Sequence, residues 1–199
     1  MTTAEDYFSD GESFFKIGQF DKAIECLNKA IEQGKDDVAV YVLRGTLRSI
    51  LRLHEEAIED YNKVISSNTC TYDDILLAYT NRGHAKHLLK QNKEAIADYD
   101  EAMRINPNYA MAYNGRGNVK LDLGQTQDAI KDFNEAIERS QKNEKTMMYR
   151  HLMYGCRGRV KSDLGQYEEA LEDLDIAINL NPYFFGLYVN RGCVKIDFI

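Results

Sequence analysis

The chain has 199 residues, of which 44% are apolar and 29% charged, a composition that is ordinary for folded proteins and excludes a mainly disordered chain. Its 25 basic and 32 acidic residues leave a net charge of −7, which argues against a protein that holds nucleic acid on a broad basic surface. Prolines occur only at Pro107 and Pro182, so helices can form almost throughout. We therefore expect an all-α protein.

The N-terminal segment from Met1 to Asp6 has neither a basic start nor an apolar stretch, so the sequence predicts neither a signal peptide nor a membrane partner. The cysteines lie far apart and form no Cys-x-x-Cys pair of the kind that structural zinc sites use. They are Cys26, Cys70, Cys156 and Cys193. Free thiols indicate a reducing compartment, and we expect a cytoplasmic protein.

A five-residue phrase, Tyr-x-x-Arg-Gly, recurs along the chain. Its copies begin at Tyr41, Tyr79, Tyr113, Tyr154 and Tyr188. Their glycines are spaced by 38, 34, 41 and 34 residues. An alanine follows twelve residues after each of the first four glycines, at Ala57, Ala95, Ala129 and Ala170. The spacing predicts a 34-residue repeat with two insertions, Tyr72 to Ile75 and Glu144 to Arg150, which lengthen helices or loops.

In chain order the predicted repeats span about 4–37, 38–71, 76–109, 110–143 and 151–184, followed by a terminal helix over 185–199. Each repeat is predicted to form two helices. In the fourth, Ala129, Phe133 and Ile137 recur at helical spacing, and Gly124 is placed to end the preceding helix in a left-handed conformation. One hairpin of helices cannot bury its apolar stripe alone, so neighbouring repeats must stack in a single domain of about eleven helices.

These landmarks resemble the tetratricopeptide repeat (TPR) family over nearly the whole chain. The family's aromatic, glycine, alanine and proline positions occur together in the third repeat as Tyr79, Gly83, Ala95, Tyr99, Ala102 and Pro107. The resemblance implies a right-handed superhelical solenoid of antiparallel helix pairs, with five repeats and one extra C-terminal helix. It also implies a non-enzymatic scaffold whose first helices line a concave groove for a peptide or helix of a protein partner.

The groove positions implied by the resemblance are Val42, Thr46, Ser49, Thr80, His84, His87, Asn114, Asn118, Leu121 and Arg159. Asn114 and Asn118 lie one turn apart and could hold the backbone of an extended peptide, or could simply be solvated. A carboxylate clamp for acidic chaperone tails would need basic residues at Gly115 and Cys156, which disfavours that partner. No third ligand accompanies the two histidines, so we expect no metal and no cofactor.

Charged residues recur on both predicted helices. A base stands in each phrase and four residues later, at Arg44, Arg82, Arg116 and Arg157, then Arg48, Lys86, Lys120 and Lys161. An acid stands three residues after each alanine, at Asp60, Asp98, Asp132 and Asp173. At the three equivalent positions the first repeat has Asp10, Phe14 and Cys26. A repeat therefore has either all three of these charged residues or none of them.

We interpret these charges as a structural ladder of ion pairs, formed within or between repeats. Pairing within repeats costs less free energy, since it leaves only Arg191 without an aspartate partner, at the end of the stack. The alternative is a row of arginines that binds an anionic ligand.

No phosphate-binding loop, nucleophile elbow or His-Glu-x-x-His motif occurs, so we expect no enzyme, and a metal-dependent or carboxylate-based enzyme is the least favoured interpretation. The alternative to a peptide-binding scaffold is a self-assembling module. Its predicted surface is the uncovered apolar end of the last helix, with a homodimer formed through Phe198 and Ile199. Tyr188, Val194 and Ile196 are expected on the same surface.

Overall fold

The computed structural model describes residues 2–141 and 147–198. Throughout these two ranges the regular secondary structure is α-helix, and short loops join consecutive helices into antiparallel pairs. The predicted all-α class is confirmed.

The helices group into two compact units, Met1–Ile105 and Asn106–Ile199. The first contains α1 (Ala4–Lys16), α2 (Phe20–Glu32), α3 (Val38–Ile50), α4 (His54–Ser66), α5 (Tyr72–Leu88) and α6 (Asn92–Ile105). The second contains α7 (Ala110–Asp122), α8 (Thr126–Gln141), α9 (Arg150–Asp163), α10 (Tyr167–Leu180) and α11 (Phe185–Asp197). Each unit is a stack in which the second helices pack on their own first helices and, where another first helix follows in the same unit, on that helix as well.

Local signals explain where the helices begin and end. Thr3 and Thr71 cap α1 and α5, and each forms a reciprocal capping box with the aspartate three residues later. The first helices of repeats one, four and five end at glycines in the left-handed region, Gly18, Gly124 and Gly165. In repeats two and three, Arg52 and Lys90 take this conformation, with φ of 63° and 62°. The predicted left-handed cap at Gly124 is confirmed.

The four-residue insertion lengthens a helix. Helix α5 begins at Tyr72 and has 17 residues, whereas α3 and α7 have 13 each. The insertion therefore adds about one turn to the N-terminus of α5. The first three residues of the second predicted insertion, Glu144 to Arg150, lie outside the described residues; Arg150 begins α9.

The core of each repeat is set by close contact between a glycine on the first helix and a larger residue 16 positions later on the second. A Cβ added to Gly45 would lie 2.9 Å from the Tyr61 ring, and one added to Gly117 would lie 2.8 Å from the Phe133 ring. The other pairs are Gly11 with Leu27, Gly83 with Tyr99 and Gly158 with Leu174. The missing side chain lets the two helices approach closely, which explains the glycine of the phrase.

None of the helices in the described ranges combines the length and the apolar character needed to cross a bilayer.

Candidate functional site

The first helices of the repeats lie side by side in each unit and form one of its faces, the first-helix face. In the first unit α3 contacts α1 and α5, and in the second α9 contacts α7 and α11. The predicted groove residues lie on these helices: Val42, Thr46 and Ser49 on α3, Thr80, His84 and His87 on α5, Asn114, Asn118 and Leu121 on α7, and Arg159 on α9.

The hydroxyl groups on this face of the first unit already have partners. Thr46 donates to the carbonyl oxygen of Val42 at 2.8 Å, one turn earlier in its own helix. Thr80 makes the equivalent 2.7 Å hydrogen bond to its own helix, and the Ser49 hydroxyl lies 3.1 Å from the hydroxyl of Tyr61. Thr46 and Thr80 therefore have no free proton to donate to a ligand without breaking an existing bond.

Two of the predicted groove residues belong partly to the core. Val42 packs against the buried cluster of Ala57, Tyr61, Val64 and Ala78. Leu121 packs against the buried cluster of Ala129, Phe133 and Val160. Each leaves only part of its side chain for contact with a partner.

The histidines of α5 lie near His54 of α4. Lost hydration lowers the pKa of His84, and the charges of His87 and His54 lower it further, although His84 remains exposed by surface area. Within residues 2–141 and 147–198, no three His, Cys, Asp or Glu side chains converge as metal ligands would. His84 therefore favours the neutral, uncharged form on this face.

The second unit brings two predicted asparagines together with Arg159 around a cysteine. Asn114 is 8% exposed, and its Oδ1 is a buried acceptor without a hydrogen-bond partner in the described structure. Asn118 Nδ2 donates to the backbone carbonyl of Asn114 at 2.9 Å. Burial raises the pKa of the Cys156 thiol, while the charge of Arg159 and a hydrogen bond with Asn118 oppose that rise. Sequence reasoning had not assigned Cys156 to the site.

A depression of about 110 Å³ continues this face between α9 and α11. It is lined by Arg159, Ser162, Asp163, Asn190, Cys193, Val194 and Asp197. The lining carries one basic and two acidic side chains, so the depression offers polar contacts of both signs.

The charged residues of repeats two to five form a ladder of ion pairs between the first and second helices of each repeat. Each of the first four phrase arginines donates to the aspartate 16 residues later, at 2.6 Å for Arg44–Asp60, Arg82–Asp98 and Arg157–Asp173 and 2.7 Å for Arg116–Asp132. A second cation reaches the same aspartate, at 2.7 Å from Arg48, 2.8 Å from Lys86, 2.7 Å from Lys120 and 3.1 Å from Lys161. The aspartate side chains are 5% exposed or less, so each buried carboxylate holds two cations.

The same guanidinium groups also connect consecutive repeats. The Nη1 atoms of Arg44, Arg82 and Arg157 donate to Asn28, Asn62 and Asn134 at 2.7, 2.6 and 2.6 Å. Each acceptor lies in the preceding repeat, five residues after the position of the repeated alanine. Sequence reasoning missed these asparagines, although their recurrence was visible. The arginines therefore pair within repeats through carboxylates and between repeats through amides.

Arg191 was expected to lack a partner, and this prediction is wrong. Its Nη1 donates to Asp175 at 2.7 Å. Asp175 stands in the preceding repeat at the place that Asn134 takes one repeat earlier, so Arg191 keeps the contact between repeats.

The tyrosine of each phrase supports its arginine. The guanidinium carbons of Arg44, Arg82, Arg116, Arg157 and Arg191 lie 5.5, 5.3, 5.8, 5.3 and 5.7 Å from the ring centres of the tyrosines three residues earlier. Burial acts to lower the pKa of Arg157, but the hydrogen bond and charge of Asp173 outweigh it and raise that pKa. Arg157 thus remains charged, and each phrase arginine is held in place by the tyrosine of its own repeat.

Sequence comparison identifies repeats along most of the chain. Profiles described as tetratricopeptide repeat match residues 10–68, 110–143 and 153–184, and a profile described as TPR repeat matches residues 83–124. Tetratricopeptide repeat protein 16 of Mus musculus is 32% identical over 73 residues, which are 37% of this chain and 10% of that protein. The match thus spans about a tenth of the length of this relative.

Solved structures share the fold at low sequence identity. A thermophilic TPR protein from Thermus thermophilus has a TM-score of 0.76 and 19% identity, covering 98% of this chain and 100% of that chain. The APC/C hetero-tetramer Cut9-Hcn1 gives 0.83 and 16%, covering 98% of this chain and 37% of that chain. YrrB, described as a TPR protein with an unusual peptide-binding site, gives 0.60 and 19%, covering 96% and 93%.

The repeated phrase, the helix pairs and these matches agree with one another. This chain belongs to the tetratricopeptide repeat family.

Proposed function

We propose that this protein is a non-enzymatic scaffold that binds a peptide or helix of a protein partner on its first-helix face. Membership of the TPR family supports a role in protein interaction in general, because TPR repeats typically serve as non-catalytic interaction modules. The peptide-binding site named for YrrB supports a peptide as the class of ligand.

The observation that carries this proposal is the unpaired Oδ1 of Asn114. A buried acceptor without a partner costs about 1–3 kcal/mol, so proteins seldom retain one without a water or ligand to satisfy it. Because Oδ1 itself is buried, a backbone N–H of a bound peptide would supply the missing donor after the Asn114 side chain rotates toward the surface. Asn118, one turn along α7, fixes the helix surface beside it through its hydrogen bond to the Asn114 carbonyl.

The surroundings of Asn114 favour recognition of peptide backbone over a particular charge. Arg159 is exposed next to Cys156, whereas Asp163 and Asp197 line the neighbouring depression. A short segment that pairs its backbone with Asn114 and lays polar side chains along α9 fits these groups. A few such anchors support micromolar affinity, about −8 kcal/mol.

The test is a selection of random peptides displayed on phage against the full chain, followed by affinity measurements on the variant Asn114→Leu. Leucine keeps the volume but removes the acceptor, so selected peptides should bind about 3- to 10-fold more weakly. The same variant should unfold at a higher temperature, because the unsatisfied acceptor is gone. The matched control is Asn108→Ala, an exposed asparagine in the same unit, which should change neither quantity.

Peptides that bind Asn114→Leu as tightly as the unaltered chain would contradict this site. If they also bind unchanged to Thr80→Val and Arg159→Ala variants, the first-helix face as a whole is excluded.

We further infer that the protein is not an enzyme, binds neither nucleic acid nor membrane, and resides in the cytoplasm. The charge of −7 and the free thiols of the cysteines support the last three inferences. Cell fractionation and retention on an anionic nucleic-acid resin test them directly.

Self-association through α11 is the second candidate. Tyr188, Ile196 and Phe198 are 39%, 74% and 49% exposed, as predicted. Val194 was expected on this surface but is buried, at 2% exposure, because it packs back on α10 and its neighbours. The Phe198 ring lies 5.8 Å from that of Tyr167 in its own chain, and Ile199 falls outside the described residues. Sedimentation across a concentration series tests for the dimer, with Ile196→Ser as the disrupting variant.

A further inference from the structure

We propose that the outer face of α10 is a docking surface for a basic amphipathic helix of a partner protein. The outer face consists of four exposed side chains at intervals of four residues, Glu168, Glu172, Ile176 and Leu180, and is continued by Tyr183 after the helix. It belongs to a second helix of the second unit. The inference is therefore independent of peptide binding on the first-helix face.

Helix α10 differs in charge from the other second helices. It contains five acidic residues and no basic one, whereas α2, α4, α6 and α8 each contain at least one lysine or arginine. Three of its acids have cationic partners in the second unit, namely Glu169, Asp173 and Asp175. Within residues 2–141 and 147–198, Glu168 and Glu172 form no ion pair. The outer face therefore keeps an excess of negative charge.

The last turn of α10 also lacks a cation that the equivalent helices have. In α2, α4, α6 and α8 the last turn contains Lys29, Lys63, Arg104 and Arg139, respectively. The last turn of α10 contains no basic residue. Ile176 stands at the place of Lys29 and Lys63, and Leu180 at the place of Arg139. Because the carbonyl groups at a helix C-terminus favour a nearby cation, a basic side chain of a partner would stabilise this end of α10.

Apolar side chains lie where those cations would be. Ile176 and Leu180 are 40% and 41% exposed, and Tyr183, in the turn after the helix, is 96% exposed. Apolar residues three or four apart share one side of a helix, so they form a continuous strip beside the carboxylates. Such a strip is complementary to an amphipathic helix whose apolar side is bordered by lysine or arginine.

Stacking of repeats leaves this face open wherever it occurs. The residues equivalent to Glu172 in the four preceding repeats are all exposed, namely Glu25, Glu59, Ala97 and Lys131. Lys29 and Lys63, at the place of Ile176, are also exposed although complete repeats follow them. A further repeat therefore does not cover these positions, and the occupant is a partner.

The charge of the surface selects the kind of partner. A second copy of the chain has the same net charge of −7 and is repelled as a whole, and nucleic acid or anionic lipid is repelled by the same carboxylates. A basic helix has the complementary charge. From Glu168 to Leu180 the face extends over about 18 Å, so about three turns of a partner helix cover it.

The probe for this surface is a fluorescein-labelled peptide of about 18 leucines and lysines, spaced so that the leucines line one side of a helix. Fluorescence anisotropy with the full chain should show saturable binding that weakens as salt is raised. A peptide with glutamate in place of every lysine should not bind. Asn114→Leu should bind the probe like the unaltered chain, which separates this surface from the first-helix face.

Charge reversal locates the surface. Glu172→Lys should weaken binding of the probe at least about tenfold, because a like charge then faces the lysines. The matched control is Glu59→Lys, which makes the same reversal at the equivalent exposed position of α4 and should bind like the unaltered chain. Circular dichroism checks the folding of both variants.

An apolar substitution tests packing without a change of charge. Ile176→Ser should weaken binding about 3- to 10-fold, whereas Ile17→Ser, at an exposed isoleucine of the first unit, should leave it unchanged. Absence of binding, or unchanged binding by Ile176→Ser, would overturn the proposal. So would equal losses in Glu172→Lys and Glu59→Lys, since the probe would then follow net charge alone. A dimer in sedimentation that Glu172→Lys abolishes would also overturn it, because the occupant would be a second copy.

Discussion

The first repeat and the four that follow it use the same helix packing but different chemistry. Gly11 lies under Leu27, with 3.1 Å to an added Cβ, in the register that Gly45 and Tyr61 share at 2.9 Å. The first repeat nevertheless has Phe14 where the second has Arg48, and Phe14 packs against the buried cluster of α2 and α3. Close packing at the glycine therefore defines the repeat, and the ion pairs are an addition to it.

This difference has an energetic meaning. Replacing a whole buried ion pair by apolar groups of similar volume is often neutral, whereas removing one partner leaves an uncompensated charge. The first repeat is an apolar version of the site, and the later repeats are charged versions. Either version should be destabilised when only one of its residues is replaced by the equivalent residue of the other version.

The largest effect is expected for Asp132→Ala in the fourth repeat. It leaves the partly buried Arg116 and Lys120 without the carboxylate that both contact at 2.7 Å, so the free energy of unfolding should fall by about 3 kcal/mol. Urea unfolding measures the change. Cys26→Ala, at the equivalent place in the first repeat, should cost about 1 kcal/mol or less. A loss below about 1 kcal/mol for Asp132→Ala would show that the ladder is not structural.

The next effect concerns the phrase glycines. Gly117→Ala places a Cβ 2.8 Å from the Phe133 ring and should cost about 1–3 kcal/mol through overpacking. Gly192→Ala meets no atom and should instead stabilise α11 by about 0.5–1 kcal/mol, because alanine is the better helix former. Thermal unfolding of the two variants compares them directly. Equal effects would mean that the glycines serve a purpose other than close packing.

A smaller effect is expected where a helix ends in the left-handed conformation. The first repeat uses Gly18 there, whereas the second uses Arg52 with φ 63°. Arg52→Gly should therefore raise the free energy of unfolding by about 1 kcal/mol, since left-handed backbone is strained for residues with a Cβ. Gly124→Arg is the reverse change in the fourth repeat and should lose a similar amount. Urea unfolding of both should show opposite signs.

The smallest effect is a pH response of the third repeat. Lost hydration, His87 and His54 hold the pKa of His84 below its usual 6.5 in the folded state, so the unfolded chain takes up a proton first on acidification. The contribution of His84 to stability is then complete above about pH 6.5 and declines as the pH falls toward the folded pKa. NMR titration should show a low pKa that rises, but stays below 6.5, in His87→Gln. A pKa at or above 6.5 in the unaltered chain would contradict this environment.

The sequence predicted the all-α class and the helix pairs because these depend on spacing along the chain. The period of the phrase locates the helices, and Gly124 marks an end of one of them, as the structure confirms. The extra four residues before Leu76 were also visible, but only the structure shows that they lengthen α5.

Other features depend on how consecutive repeats are rotated against each other, which spacing does not specify. The contacts of Arg44 with Asn28 and of Arg191 with Asp175 follow from that rotation. The same reason applies to Asn114, whose burial and unpaired Oδ1 could not be inferred from its place on one helix face. Asn118 was expected either to hold the backbone of a peptide or to be solvated, and the structure shows that it already donates to its own helix.

The phrase arginines contact both their own repeat and the preceding one, and this has a consequence for how each unit unfolds. When one repeat unfolds, the arginine of the following repeat loses the side-chain amide that accepts its hydrogen bond. The following repeat is therefore destabilised as well. Nearest-neighbour coupling of this kind favours loss of whole repeats over gradual fraying of single helices. Amide hydrogen exchange within each unit should then report a few broad cooperative steps, with the amides of a helix pair exchanging together.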